Sequence, residues 1–181
     1  MEIVEAQLAD LSPFFEYLEK QLEENAADKT PLFQPVAKKH SHVTEQLRSK
    51  FYDGFSIPFG ESGWRKLWLV KDISNNTIHG HIDLRHHSDH YTLHRALLGM
   101  GVDSQVRKQG IGRKLIERTV EFCHSHNRID WLDLQVLSNN TPAIKLYISN
   151  GFSAVGEIAD LYRIDGKSVS EITMTLNTIR K

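Results

Sequence analysis

The sequence predicts an α/β fold of the α+β kind, in one domain spanning residues 1–181. Three observations carry this. Strand-like and helix-like segments interleave along the chain. A glycine-bearing turn, Arg107–Gly112, joins an apolar run (residues 96–102) to an amphipathic helix. The chain then closes on two strand-like segments separated by Asp165-Gly166, a dipeptide suited to a tight hairpin turn.

The elements follow in order. Glu2–Ala6 reads as a short strand. Leu11–Asn25 reads as a helix with a stripe of Phe14, Phe15, Leu18 and Leu22, Ser12 as its cap and Pro13 in its first turn. Ala26–His42 is polar, holds two prolines and reads as a loop; Val43–Tyr52 is a second helix. Gly54–Gly63, with Pro58 and three glycines, reads as a loop. Leu67–Lys71, Ile78–Arg85 and Leu93–Val102 form successive antiparallel strands, with turns at Asn75-Asn76 and His86–His90. A helix from Ile111 to about His124, a strand Trp131–Val136 and a short helix Pro142–Ser149 come next. The strands Phe152–Tyr162 and Ser168–Leu176 end the chain.

Composition narrows the function classes. A formal net charge of -1 argues against a broad nucleic-acid surface. No apolar stretch is long enough to span a bilayer, and the first residues do not resemble a signal peptide. Cys123 is the only cysteine, so no intrachain disulfide forms, which fits a cytoplasmic protein. Its place on the helix after the glycine turn marks it as a packing residue rather than a nucleophile.

Arg107-Lys108-Gln109-Gly110-Ile111-Gly112 has the makings of an anion site. Glycines at a strand-to-helix turn let backbone N–H groups approach a phosphate, and the helix adds the positive end of its dipole. Arg107, Lys108 and Arg113 add positive charge. The run lacks the Lys-Ser/Thr ending of a nucleotide P-loop and the three-glycine spacing of a dinucleotide fingerprint. A plain helix-starting turn is the alternative for these six residues taken alone.

A second segment decides between them. Asn140 or Thr141 can cap a short helix, Pro142 suits its first turn, and Gly151 fits the left-handed position that ends it before Phe152. Together, Val102-Asp103, Arg107-x-x-Gly110-x-Gly112, and Asn140 followed by Leu146-Tyr147-x-x-x-Gly151-Phe152 resemble the GNAT superfamily of acyl-CoA-dependent N-acetyltransferases. The resemblance is best over residues 76–178, and residues 1–75 match as a pattern of elements. It implies a mixed, mostly antiparallel sheet of about seven strands flanked by about four helices, with the fourth and fifth strands splayed apart. It also implies acetyl-CoA as the acyl donor, a primary amine of a small molecule or amino acid as acceptor, and direct attack through a tetrahedral intermediate. Protein N-terminal or lysine acetylation and a non-catalytic acyl-CoA sensor are the other readings. Dimers are common among similar proteins.

On that resemblance, the N–H groups of residues 107–112 hold the pyrophosphate, and the edge of Met100, Gly101 and Val102 pairs with the pantetheine arm like an added strand. Gly99 and Gly101 are expected to make a bulge there. Asn140 matches the family asparagine near the arm, or is simply a helix cap. Tyr147 is the expected general acid: a phenol of pKa near ~10 can protonate a departing thiolate of pKa near ~8.5 when held against it.

A general base is harder to place. Some relatives carry a glutamate where Gln135 stands, and glutamine takes no proton at neutral pH. Asp133, two residues earlier on the same strand face, is the substitute. His94 is too far from Val102 along its strand for direct contact, roughly eight steps of ~3.3 Å. His81 and Asp83 share a face read as solvated. Deprotonation of the amine in bulk water, or through a water chain, is the alternative to a dedicated base.

Six of the ten histidines lie between residues 79 and 94. A strand-and-turn conformation there does not gather His86, His90 and His94 on one helical face, so no metal site is expected and the tip reads as solvated. The family places the acceptor against residues 25–64 and 158–170; Glu23 and Glu24 just before the first stretch, with Phe55, Phe59, Glu61, Trp64, Asp160 and Tyr162 within them, would suit a cationic amine.

Overall fold

The computed structural model describes residues 1–26, 32–87 and 89–179; parts of the loop expected at 26–42 and of the turn expected at 86–90 lie outside these. Seven strands form one sheet in the order β1-β2-β3-β4-β5-β7-β6. They are β1 Glu2–Glu5, β2 Arg65–Lys71, β3 Ile78–His86, β4 Arg95–Val102, β5 Trp131–Leu137, β6 Ser153–Ile164 and β7 Lys167–Asn177. The helices are α1 Leu11–Ala26, α2 Glu45–Ser56, α3 Ile111–His126 and α4 Thr141–Ser149. Every neighbouring pair is antiparallel except β4 with β5, whose parallel pairing needs a crossover that α3 supplies.

Side-chain alternation along the strands divides the core into two layers. Trp68, Ile82, Leu84, Leu98, Leu134 and Met174 meet Leu115, Ile116 and Phe122 of α3 on one face. Leu67 and Leu69 meet Phe14, Phe15 and Leu18 of α1 and Phe51 of α2 on the other. Phe14, Phe15, Leu67 and Trp68 are wholly buried. Each such side chain stabilises the fold by about 1.5–3 kcal/mol, which sets the sheet rigidly between its helices.

Local details depart from expectation in physically readable ways. Ser12 caps nothing, because a 3₁₀ turn at Leu8–Asp10 runs straight into α1; Asp10 Oδ2 accepts the Gln7 N–H there at 2.8 Å. Thr44 caps α2, accepting the Leu47 N–H. That helix continues through Gly54 to Ser56, because Gly54 lacks the Cβ that would come within 2.7 Å of Arg65 Cβ. Asp165 and Gly166 both take positive φ, 48° and 77°, and close the β6–β7 hairpin as expected. Gly151, at φ 90°, ends α4 in the left-handed position.

Candidate active site

The pairing of β4 with β5 stops early. Arg95↔Trp131, Ala96↔Leu132 and Leu97↔Asp133 are joined, and beyond them neither strand pairs with the other. Leu98–Val102 and Leu134–Leu137 therefore face a wedge, with β4 still held by β3 and β5 by β7. Along the open side, the backbone groups of Met100 and Val102 lack a strand partner, so an extended amide-bearing chain fits there, while Gly101 pairs with His81 of β3. The Val102 carbonyl is an exception, since it accepts from Arg107 Nε at 2.9 Å.

The expected bulge is absent. The β3–β4 register runs unbroken from Gly80↔Val102 to His86↔Ala96. The two glycines instead admit side chains from β3. A Cβ at Gly101 would lie 2.8 Å from His81 Cε1, and one at Gly99 would lie 2.7 Å from Asp83 Oδ1. His81 and Asp83 are thus buried, not solvated. Burial pushes the His81 imidazole down to about 4 in spite of Asp83, so the ring is neutral. Its Nδ1 and the Tyr17 hydroxyl beside it, itself pushed upward by burial, have no hydrogen-bond partner among the described residues.

At the mouth of the wedge sits the glycine turn. Lys108 and Gly110 take left-handed conformations, φ 63° and 78°, and Gly110 is the N-cap of α3. A glycine has no side chain to satisfy the first-turn N–H groups of Ile111, Gly112 and Arg113, and no acidic residue lies in that turn. Nothing stands within 4 Å of where a Gly110 Cβ would be. Lys108, Gln109, Arg113 and Lys114 are exposed around it. Uncapped N–H groups, a helix dipole and basic side chains together fit an anionic pyrophosphate. Gly112 has another role: a Cβ there would meet Leu146 Cδ2 at 2.8 Å and Met100 Cε at 3.4 Å, so it seats α3 against α4. Arg107 does not point free charge at the turn. It binds Glu24 Oε2 at 2.7 Å, and Ser104 Oγ donates to the other oxygen of Glu24, which ties α1 to the segment after β4.

Tyr147 lies on α4, buried edge-on against Phe152, with ring centroids 5.6 Å apart. Burial raises its pKa, which keeps the phenol protonated throughout the neutral range and also makes it a weaker acid toward a thiolate than a free phenol. Asn140 is the cap of α4, its Oδ1 accepting the Ala143 N–H at 3.4 Å.

Asp133 is engaged elsewhere. Arg95 grips it with Nε on Oδ2 at 2.7 Å and Nη2 on Oδ1 at 2.6 Å. Thr175 Oγ1 donates to Oδ1 at 2.7 Å, and His87 Nε2 lies 3.1 Å from Oδ2. Burial pushes the carboxyl up, but these hydrogen bonds outweigh it and hold it below the usual carboxylate range. That is the wrong direction for a base. The residue reads as a latch at the vertex where β4 and β5 part. Gln135, the next residue on that face, is exposed.

The acidic and aromatic residues expected to line an acceptor site are divided between the two faces of the sheet, Phe55 packing on the α1 side. Phe59 packs against Trp64 and Phe122 on the α3 side of the sheet. Glu24 is held by Arg107 and Ser104, and Asp160 by Arg163 and Ser168. On the α1 side of the central strands stand instead Arg65, Asp83, Arg85, Arg95 and Asp133. Sequence reading missed this set because the residues come from four strands, and only the register of the sheet puts them on one face.

The histidine-rich segment is solvated at its tip, where His90 and His94 are exposed, and buried along β3. His86 is buried and its Nδ1 accepts the Gly63 N–H at 3.1 Å, His87 reaches Asp133, and exposed His94 precedes β4. Among the described residues no three His, Cys, Asp or Glu side chains are placed to hold a metal ion. Burial pushes the Cys123 thiol up to about 12, so it is inert. Among the described residues no helix is long and apolar enough to cross a membrane.

Comparison with known proteins places these features. The model of the acetyltransferase (GNAT) domain matches residues 63–154. An L-amino acid N-acetyltransferase of Escherichia coli K12 is 32% identical over 88 residues, covering 49% of this chain and 54% of the relative; the chain thus spans about half that protein's length. A GNAT-family acetyltransferase from Streptococcus pneumoniae superposes with a TM-score of 0.80 at 19% identity, covering 97% of this chain and 98% of that one. The yncA protein of Salmonella typhimurium, solved with its cofactor acetyl-CoA, superposes at 0.77 with 16% identity, covering 99% and 95%.

Proposed function

The chain belongs to the GNAT acetyltransferase family, and from that premise we propose that it transfers an acetyl group from acetyl-CoA to a primary amine of a small molecule or amino acid. The observation that carries the reading is the wedge between β4 and β5 with the uncapped N-terminus of α3 at its mouth. Such a wedge admits a pantetheine arm, and such a helix end receives a pyrophosphate. The Escherichia coli relative, named for acetylating L-amino acids, supports the acceptor class.

Bound acetyl-CoA supplies an activated thioester carbonyl. The residues of this chain do the rest. Backbone N–H groups at 110–113, with Lys108 and Arg113, hold the phosphates. The backbone of Met100, open toward β5, aligns the arm and offers an N–H to the carbonyl oxygen as charge builds there. The neutral amine attacks the carbonyl carbon, the C–N bond forms and the C–S bond breaks. The Tyr147 hydroxyl gives its proton to the leaving sulfur, and the proton lost by the amine passes through water to restore the Tyr147 hydroxyl. Because the Asp133 carboxylate is occupied, the amine sheds its ammonium proton to solvent before attack.

Release of coenzyme A thiol, followed with a chromogenic disulfide across a panel of amines and amino acids, tests this. Turnover with at least one acceptor is expected, and Tyr147→Phe should lower kcat by about 10²-fold or more while moving the acetyl-CoA KM little. Tight acetyl-CoA binding without turnover on any acceptor would point to a sensor and defeat the catalytic reading.

A further inference from the structure

Along β3 the side chains of His81, Asp83 and Arg85 share one face, opposite Gly101, Gly99 and Leu97 of β4. Since Gly99 carries only hydrogen, the β3 side chains lean across the donor strand. The point where a Gly99 Cβ would stand is 2.7 Å from Asp83 Oδ1 and 3.1 Å from Arg85 Nη1. A carboxylate oxygen and a guanidinium nitrogen therefore converge on one spot of β4, one residue pair above the vertex at Leu97 and Asp133. Asp83 directs its other oxygen, Oδ2, to Arg65 at 3.3 Å and Arg85 at 3.2 Å. Oδ1 receives no hydrogen bond from a described residue.

The charges there do not cancel. Arg65 and Arg95 are fixed: Arg65 lies over the Phe51 ring and against Asp83, and Arg95 grips Asp133. Arg85 is freer, with its side chain 33% exposed and Nη1 on Asp83 Oδ2 as its one bond among the described residues. Beside the vertex, three guanidinium groups thus stand with two carboxylates, leaving one positive charge locally unmatched. The next carboxylate on the face, Glu171, lies opposite Leu137, further toward the cradle, and accepts from Tyr162.

We infer that the acceptor is an amino acid with a free carboxylate, the carboxylate received by the Arg85 guanidinium and the amine guided by Asp83 Oδ1 to the face of β4 at Gly99. This rests on the acetyltransferase reading and narrows its acceptor. A guanidinium with open donors recognises a carboxylate by paired, charge-assisted hydrogen bonds. Asp83 Oδ1 accepts an N–H from the amine and leaves the nitrogen lone pair free for attack on the carbonyl carbon. A plain monoamine offers nothing to the unmatched charge.

Matched acceptor pairs test this: each of several L-amino acids against its own carboxamide. In the wild type kcat/KM for the acid should exceed that for the carboxamide by at least about tenfold, mostly through KM, as loss of a charge-assisted hydrogen bond implies. Arg85→Gln should bring the two within about threefold of each other. Arg85→Lys, which keeps the charge but not the fork, should fall between and serves if the first variant fails to fold. Equal use of acid and carboxamide by the wild type, or an unchanged ratio in the variants, overturns the inference and leaves the acetyltransferase reading standing. Absence of thiol release with every acceptor overturns that reading and this inference with it.

Discussion

Replacing Asp133 by asparagine separates a latch from a base. The carboxylate takes two hydrogen bonds from Arg95, one from Thr175 and a contact from His87, and its side chain is 9% exposed against 29% for Arg95. Asparagine offers one acceptor oxygen where the guanidinium fork needs two, and turns its amide N–H toward a second donor. Hydrogen bonds to charged groups contribute about 1.5–3 kcal/mol each, and breaking a buried pair costs about 3–5 kcal/mol. The partial exposure of Arg95 puts the expected loss at about 3 kcal/mol, or roughly 6–12 °C in Tm for a chain of this size. The sign of the pH effect follows from the lowered folded-state pKa. The contribution is full above the unfolded value of about 4 and is lost as pH falls through the folded value, so the gap between wild type and variant narrows below about pH 4. Denaturant unfolding at several pH values reads the gap, and thiol release reads kcat. A base role would lower kcat by about 10²–10⁴-fold; the latch predicts less than about tenfold. A variant with wild-type stability and crippled kcat would refute the reasoning.

Two further substitutions probe the site's surroundings. Gly110→Ala should cost about 1–2 kcal/mol, because an L residue must hold φ 78°, and thermal melts that do not move would show the turn to be less constrained than this. His81→Phe should raise stability by roughly 1–2 kcal/mol by removing a buried nitrogen that lacks a partner while keeping the ring against Phe14 and Tyr17, and a drop in Tm would mean that Nδ1 is satisfied by water.

The fold was legible in the sequence to the extent that its signals were local. Glycine and proline punctuation located Gly110, Gly151 and the Asp165-Gly166 hairpin, and hydrophobic spacing located α1 and α3. The donor side was legible for the same reason, since residues 107–113 and 140–147 are two continuous stretches. The acceptor face was not. Arg65, Asp83, Arg85, Arg95 and Asp133 become neighbours only through the register of β2, β3, β4 and β5, which a single sequence does not encode in any short pattern. Strand periodicity points to Asp133 as a base because it shows only the residue's face, while the partner Arg95 lies 38 residues away. Gly99 and Gly101 were read as a bulge because glycine in a strand commonly marks one; the leaning side chains of Asp83 and His81 are the other use of a missing Cβ.

Native mass spectrometry of the protein with acetyl-CoA and pooled amino acids tests the central claim most directly. The account predicts one acetyl-CoA bound per chain, then conversion to bound or free coenzyme A as an N-acetylated amino acid accumulates. A protein that binds no acetyl-CoA, or that holds it unchanged in the presence of every acceptor, would contradict it.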